Sequence, residues 1–253
     1  MHEGGRRQII YNNVTDTLRK WCKEYGRKAL SMYDFQGGPS SLGYRVPYDL
    51  AFWLGTLTDR DFTDFTSYCQ AVRDLLPVPV TPPLGHEPTM IEQYYIQKTE
   101  GAFLEEFSHL APDCPSPGIA YFRVLPEAEA FFVKGKLAEL WDCREDQYWY
   151  PLSAVTVPSD QLFYLPASSL EGLLVELGAF LHLPEKHAFC LGESWFTLPN
   201  CVETGELSDY AGSECFYAAK DFRWLIYFSH EETVSFAGSI VPMIKERFEE
   251  ASK

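Results

Sequence analysis

"SECFYAAKDFRWLIYFSHEETVSFAG", residues 213–238, is the stretch that decides the fold. Three runs rich in aromatic and β-branched residues, "SECFYAA", "FRWLIYFS" and "TVSFAG", are separated by only a few polar residues. That spacing predicts three antiparallel strands in a meander. The second connection carries Ser229, His230, Glu231 and Glu232. In an extended strand Ser229 and Glu231 project to one face and His230 to the other, so a local Ser-His-Glu relay cannot form. The expectation is a hairpin tip with these three side chains exposed and hydrated, and with His230 and Glu231 as candidate partner contacts.

Working outward, "SIVPMIKERFEEA" is expected to be a closing helix. Upstream, "IAYFRVL", "YWYPLSAVTV", "QLFYL", "HAFCL" and "WFTLP" read as strands, while "PEAEAFFVKGKLAELWD" (opened by Pro126) and "SSLEGLLVELGAFLHL" (serine-capped) read as helices. Residues 119–253 therefore read as one α+β domain with flanking helices and a mixed, mainly antiparallel sheet. Regular strand–helix alternation and a Gly-rich first turn are missing, which excludes a doubly wound nucleotide-binding fold.

The first part of the chain reads as helical. Leu18, Trp21, Cys22, Tyr25, Ala29 and Met32 recur at three and four residues, with Asn13 or Thr15 as a possible cap. Pro47 is expected to open a second helix, and Thr58 with Asp61 to cap a third whose stripe is Phe62, Phe65, Cys69, Val72 and Leu76. Residues 1–76 are thus a helical region. Residues 77–118 read as a proline-rich linker containing one helix, opened by a Thr89–Glu92 capping box and running to about Leu110.

With 46% hydrophobic and 15% aromatic residues, the 253-residue chain has ample apolar surface for a core. Seven cysteines without a C-x-x-C pair, and an N-terminus without an apolar signal core, point to a reduced cytosolic protein. No apolar run approaches the roughly 20 residues that cross a membrane. The net charge of 21 − 36 = −15 is uneven: residues 1–76 carry 10 basic against 9 acidic side chains (+1), and residues 77–253 carry 11 against 27 (−16). That field repels nucleic acid and anionic lipid and steers basic proteins inward.

Catalytic signatures are absent: no Walker A loop, G-x-G-x-x-G, H-E-x-x-H or G-x-S-x-G. Ser194 in "GESWF" lacks the second glycine of a nucleophile elbow. Cys190, Cys201 and Cys215 could hold zinc with His187 only if their strands adjoin, and packing as small apolar residues is the preferred reading. Cys22, among Arg19, Lys20, Lys23, Arg27 and Lys28, is the thiol expected to ionise most readily. Adjacent carboxylates such as Glu105–Glu106 and Glu127–Glu129 read as solvated faces, not as a glycosidase pair across a cleft. No catalytic residue, metal ligand or cofactor is assigned.

The segment "DFRWLIYFSHEETVSFAG" resembles the terminal strand, histidine-bearing turn and strand of bacterial toxin-immunity-type (SMI1/KNR4-like) proteins, over about 30 residues from Glu214 onward. The resemblance implies a non-enzymatic acidic protein that neutralises a basic toxin or effector in the cytosol. Its contacts would be acids beside aromatics. The first choice is "WDCREDQYWYP", with Asp142, Glu145, Asp146, Tyr148 and Trp149. The second is "ETGELSDYAGSE", with Glu203, Glu206, Asp209, Tyr210 and Glu214. The alternatives are a hydrolase or transferase assembled from His187, Cys190 and His230, and a structural or scaffold subunit.

Overall fold

The computed structural model describes residues 3–32, 41–78, 88–144, 147–170, 186–192, 200–203 and 214–251. The chain is α+β and divides into two compact units, Met1–Ile119 and Ala120–Lys253.

The first unit is helical: α1 (Glu3–Met32), α2 (Ser41–Leu54), α3 (Phe65–Arg73) and α4 (Met90–Ser108). On α1, Tyr11, Val14, Leu18 and Cys22 form one buried face at spacings of three and four, packed with Leu50 and Leu54 of α2, Tyr68 and Val72 of α3, and Phe103 and Phe107 of α4. Tyr11 and Tyr68 stack at 5.3 Å between ring centroids. Phe103 and Phe107 of α4 are part of this core, and the Val78 N–H donates to Glu100 Oε1 at 2.9 Å, so the helix expected within residues 77–118 packs into the first unit. The Thr89–Glu92 capping box forms as the sequence indicates.

Three expected starts fall elsewhere. Helix α1 begins at Glu3, leaving Asn13 and Thr15 inside it; Thr15 is buried and bonds the Tyr68 hydroxyl at 3.0 Å. Helix α2 begins at Ser41 and carries Pro47 in its interior. For α3 the reciprocal cap is Asp64 with Ser67, because Thr58 is buried after a 3-10 turn and Asp59 takes a left-handed conformation.

The second unit holds a seven-stranded sheet: β1 (Phe122–Val124), β2 (Leu162–Pro166), β3 (His187–Gly192), β4 (Asn200–Glu203), β5 (Cys215–Ala219), β6 (Trp224–Ser229) and β7 (Thr233–Gly238). The order is β1-β4-β3-β5-β6-β7-β2, and every pairing is antiparallel. Helix α5 (Glu127–Trp141) lays Ala130, Val133, Leu137 and Trp141 against Phe189, Leu191, Phe216, Leu225 and Ala237 on one sheet face. The opposite face is buried as well, through Tyr217, Ile226, Phe228 and Phe236. Helix α6 (Val241–Ala251) closes the described chain.

Residues 147–158 form no strand. Leu152 and Ser153 N–H groups both donate to the Trp149 carbonyl, turning the chain, and the Trp149 indole donates to the Trp141 carbonyl at 2.7 Å. A short strand that local pattern did not suggest, β4, fills the place between β1 and β3. The helix expected over 168–183 (beyond residue 170) and the strand over 195–199 lie outside the described residues.

Candidate functional site

The corner between β6 and β7 is a three-residue connection, since Ser229 pairs with Thr233. Its last residue, Glu232, takes φ 55°, the left-handed conformation such loops commonly require. For a residue with a Cβ that conformation costs about 1–2 kcal/mol. The Ala167 N–H bonds the Glu232 carbonyl at 2.7 Å and helps hold it.

What organises the corner comes from another strand. Cys215 stands opposite Phe228, so the preceding residue, Glu214, falls beside Ser229. Glu214 is only 4% exposed. A carboxylate removed from water is costly unless donors surround it, and three do. The Tyr227 hydroxyl donates at 2.8 Å, the Ser229 hydroxyl at 3.1 Å and His230 Nδ1 lies at 2.8 Å. Burial, reinforced by the bond to Glu214, pushes the Tyr227 phenol well above its usual range, so it remains a donor.

The Glu214 contact fixes the imidazole of His230 with Nδ1 inward and Nε2 outward. Nε2 lies 3.4 Å from the Tyr148 hydroxyl and 3.4 Å from Glu231 Oε1. Tyr148 is 42% exposed and the His230 side chain 47%. The exposed ring, phenol and carboxylate thus stand on a buried hydrogen-bonded base. Ser229 departs from the expectation of a hydrated tip: it is buried, donates to Glu214 and accepts from the Glu231 N–H at 3.1 Å.

The other expected contacts separate. Trp149 is 1% exposed, packed edge-on against Phe216 and Tyr227, and is a core residue, not a surface contact. Glu214 is likewise buried. Asp142 ends α5 in a left-handed conformation; it accepts the Thr156 N–H at 3.0 Å and pairs with Arg144 at 2.9 Å. The Thr156 backbone bond, followed by Arg144, holds its carboxyl below the usual range. Glu203 is half-buried at the end of β4, where its carboxylate accepts the Tyr121 N–H at 3.5 Å. Glu145, Asp146, Glu206, Asp209 and Tyr210 lie outside the described residues.

The sheet also pulls the rival His/Cys constellation apart. Ala188 pairs with Ala219, whereas Gly192 pairs with Cys215 and Cys215 with Phe228. His187 therefore sits at the end of the sheet opposite His230, on the order of 20 Å away at about 3.4 Å per residue. Cys201 lies with Phe189 and Phe216 on the α5 face, and Cys190, one residue from Phe189, points to the other. Among the described residues no group of three His, Cys, Asp or Glu could hold a metal ion. Burial pushes the Cys190 and Cys143 thiols well above their usual range and Cys215 up to about 12. It does the same to Cys22, where desolvation outweighs Arg19, so the basic neighbourhood does not ionise that thiol.

Among the described residues no helix is long and apolar enough to cross a membrane. Comparison with protein-family models, curated proteins and solved structures finds no match to this chain.

Proposed function

We propose that the second unit is a non-enzymatic acidic binding module that seats a basic protein, a toxin or comparable effector, on the end of the sheet where Tyr148, His230 and Glu231 stand. The observation that carries this reading is the buried Glu214 holding an exposed imidazole beside an exposed phenol and carboxylate. Contact groups held in place before binding lose little freedom when a partner docks. Residues 120–253 carry 10 basic against 21 acidic side chains, a net of −11, which favours encounter with a basic surface.

The test is affinity capture on the immobilised chain at low and then high salt, repeated with Tyr148→Ala and Glu231→Lys. Support is a basic protein released by salt and lost from both folded variants. Retention indifferent to salt and to both substitutions would overturn the reading.

One observation favours a second reading. A carboxylate on Nδ1 with Nε2 turned outward is also the arrangement of a general base. In that case His230, Glu214 and Tyr148, not His187 or Cys190, would form the site of a hydrolase or transferase, and His230→Ala would abolish turnover while leaving salt-sensitive capture unexplained.

A further inference from the structure

The sequence places Phe65, Cys69 and Val72 on one stripe of α3, and the structure splits that stripe. Val72 is fully buried in the helical core, whereas Phe65 and Cys69 are only half-buried. They face a cavity of about 320 Å³ inside the first unit, between α3 and the end of α4. Phe65, Cys69 and Arg73 line it from α3 at spacings of four, and Leu104, Phe107 and Ser108 from α4 at spacings of three and four. Each helix therefore turns one face toward it. The volume lies at the lower end of the roughly 300–1,000 Å³ that small-molecule sites occupy.

The walls select the ligand. Phe65, Leu104 and Phe107 supply apolar, largely aromatic surface, and among the described residues Arg73 is the only charged side chain lining the cavity. Its guanidinium lies over the Phe107 ring, 5.9 Å from the centroid, and among the described residues it pairs with no carboxylate. The acids nearest in sequence do not line the cavity: Asp74 accepts from Gln70 Nε2 at 2.7 Å, and Glu105 and Glu106 flank the lining residues of α4. Burial, offset in part by Arg73, raises the Cys69 thiol and keeps it uncharged. The Ser108 hydroxyl donates to the Glu105 carbonyl at 2.7 Å, which leaves Arg73 as the strong donor facing a ligand. An unpaired guanidinium beside aromatic walls suits an anion with a flat apolar body, because a carboxylate matches the guanidinium fork with two parallel bonds.

We propose that this cavity binds a small aromatic carboxylate, its ring against Phe65 and Phe107 and its carboxylate on the Arg73 guanidinium. Cys69 then lies along the bound ligand and reports its presence. The site belongs to the first unit and uses none of the residues assigned to partner contact in the second, so the two readings fail separately.

Calorimetric titration of the full chain with 2-naphthoate, and with the neutral 2-naphthylmethanol, tests the proposal. The expected result is saturable binding of the carboxylate with a Kd below about 1 mM. The alcohol should bind at least about tenfold more weakly, and Arg73→Leu should cost the carboxylate a similar factor while leaving the alcohol unchanged. Arg73 is exposed, so this variant should fold, with unchanged circular dichroism as the check. Location is read separately: 2-naphthoate should slow alkylation of Cys69 by iodoacetamide and leave that of half-buried Cys114, which does not line the cavity, as it was. Leu104→Trp, which fills the cavity from its exposed side, should abolish both binding and protection. Absence of saturable binding, equal affinity for acid and alcohol, indifference to Arg73→Leu, or binding without protection of Cys69 would overturn the proposal.

Discussion

Each of the two units buries a tyrosine hydroxyl, and they resolve that problem in opposite ways. In the helical unit the Tyr68 hydroxyl meets Thr15 on α1, both fully buried, and the polar contact ends there. In the sheet unit the Tyr227 hydroxyl meets Glu214, and the chain of contacts continues through Ser229 and His230 to Tyr148 and Glu231 at the surface. The first pair fastens helices together. The second carries a buried charge outward to groups that a partner can touch. A buried polar contact is therefore informative about function according to where it ends, not according to how deep it lies.

The largest break in this comparison is Glu214→Ala. It leaves the Tyr227 and Ser229 hydroxyls buried without their acceptor, and at about 1–3 kcal/mol for each such group the unit should lose roughly 2–6 kcal/mol in urea unfolding. A loss below about 1 kcal/mol would show that the node does not hold the corner.

Base should separate the units next. Cys143, Cys190, Cys201, Cys215 and Tyr227 all have their acid forms favoured by burial in the sheet unit, against Cys22, Cys69 and Tyr68 in the helical one. A group whose pKa is raised on folding contributes stability that is full below its unfolded value and is lost as pH climbs toward the folded one. For Cys215 that window runs from about 9 to about 12. Unfolding free energy should fall across it, by up to about 1.4 kcal/mol per pH unit for each thiol, and Cys215→Ala should make the slope shallower. An unchanged slope would contradict this.

Tyr227→Phe and Tyr68→Phe test the two hydroxyls directly. The first removes a bond to a carboxylate, worth about 1.5–3 kcal/mol, and the second a bond between neutral groups, worth about 0.5–1.5 kcal/mol. Equal losses would abolish the distinction drawn between them. The smallest effect is expected for His230→Ala, under about 1 kcal/mol because the ring is half in water. If it unfolds the chain, the imidazole belongs to the core and not to a contact surface.

The sequence is legible where the physics is local. The β5–β7 meander follows from dense aromatic and β-branched runs with short polar gaps, the Thr89–Glu92 box from a four-residue reciprocal bond, and α5 from its 3.6-residue period. The reading fails where a distant partner decides. Trp149 beside Asp142 and Tyr148 has the composition of a contact surface, but the sheet above it supplies Phe216 and Tyr227, and it becomes core. Glu214, thirteen residues before Tyr227, carries no local mark of burial.

From sequence alone the α+β class, the acidic bias of the second part and the hairpin with His230 were already determined, because propensity, periodicity and charge are properties of neighbouring residues. Only the tertiary structure decided that Glu214 stands under that hairpin, that His187 lies at the far end of the sheet, and that Phe131 and Phe132 face outward. Strand register and helix orientation bring together residues far apart in the chain, and the desolvation of a side chain depends on everything that surrounds it.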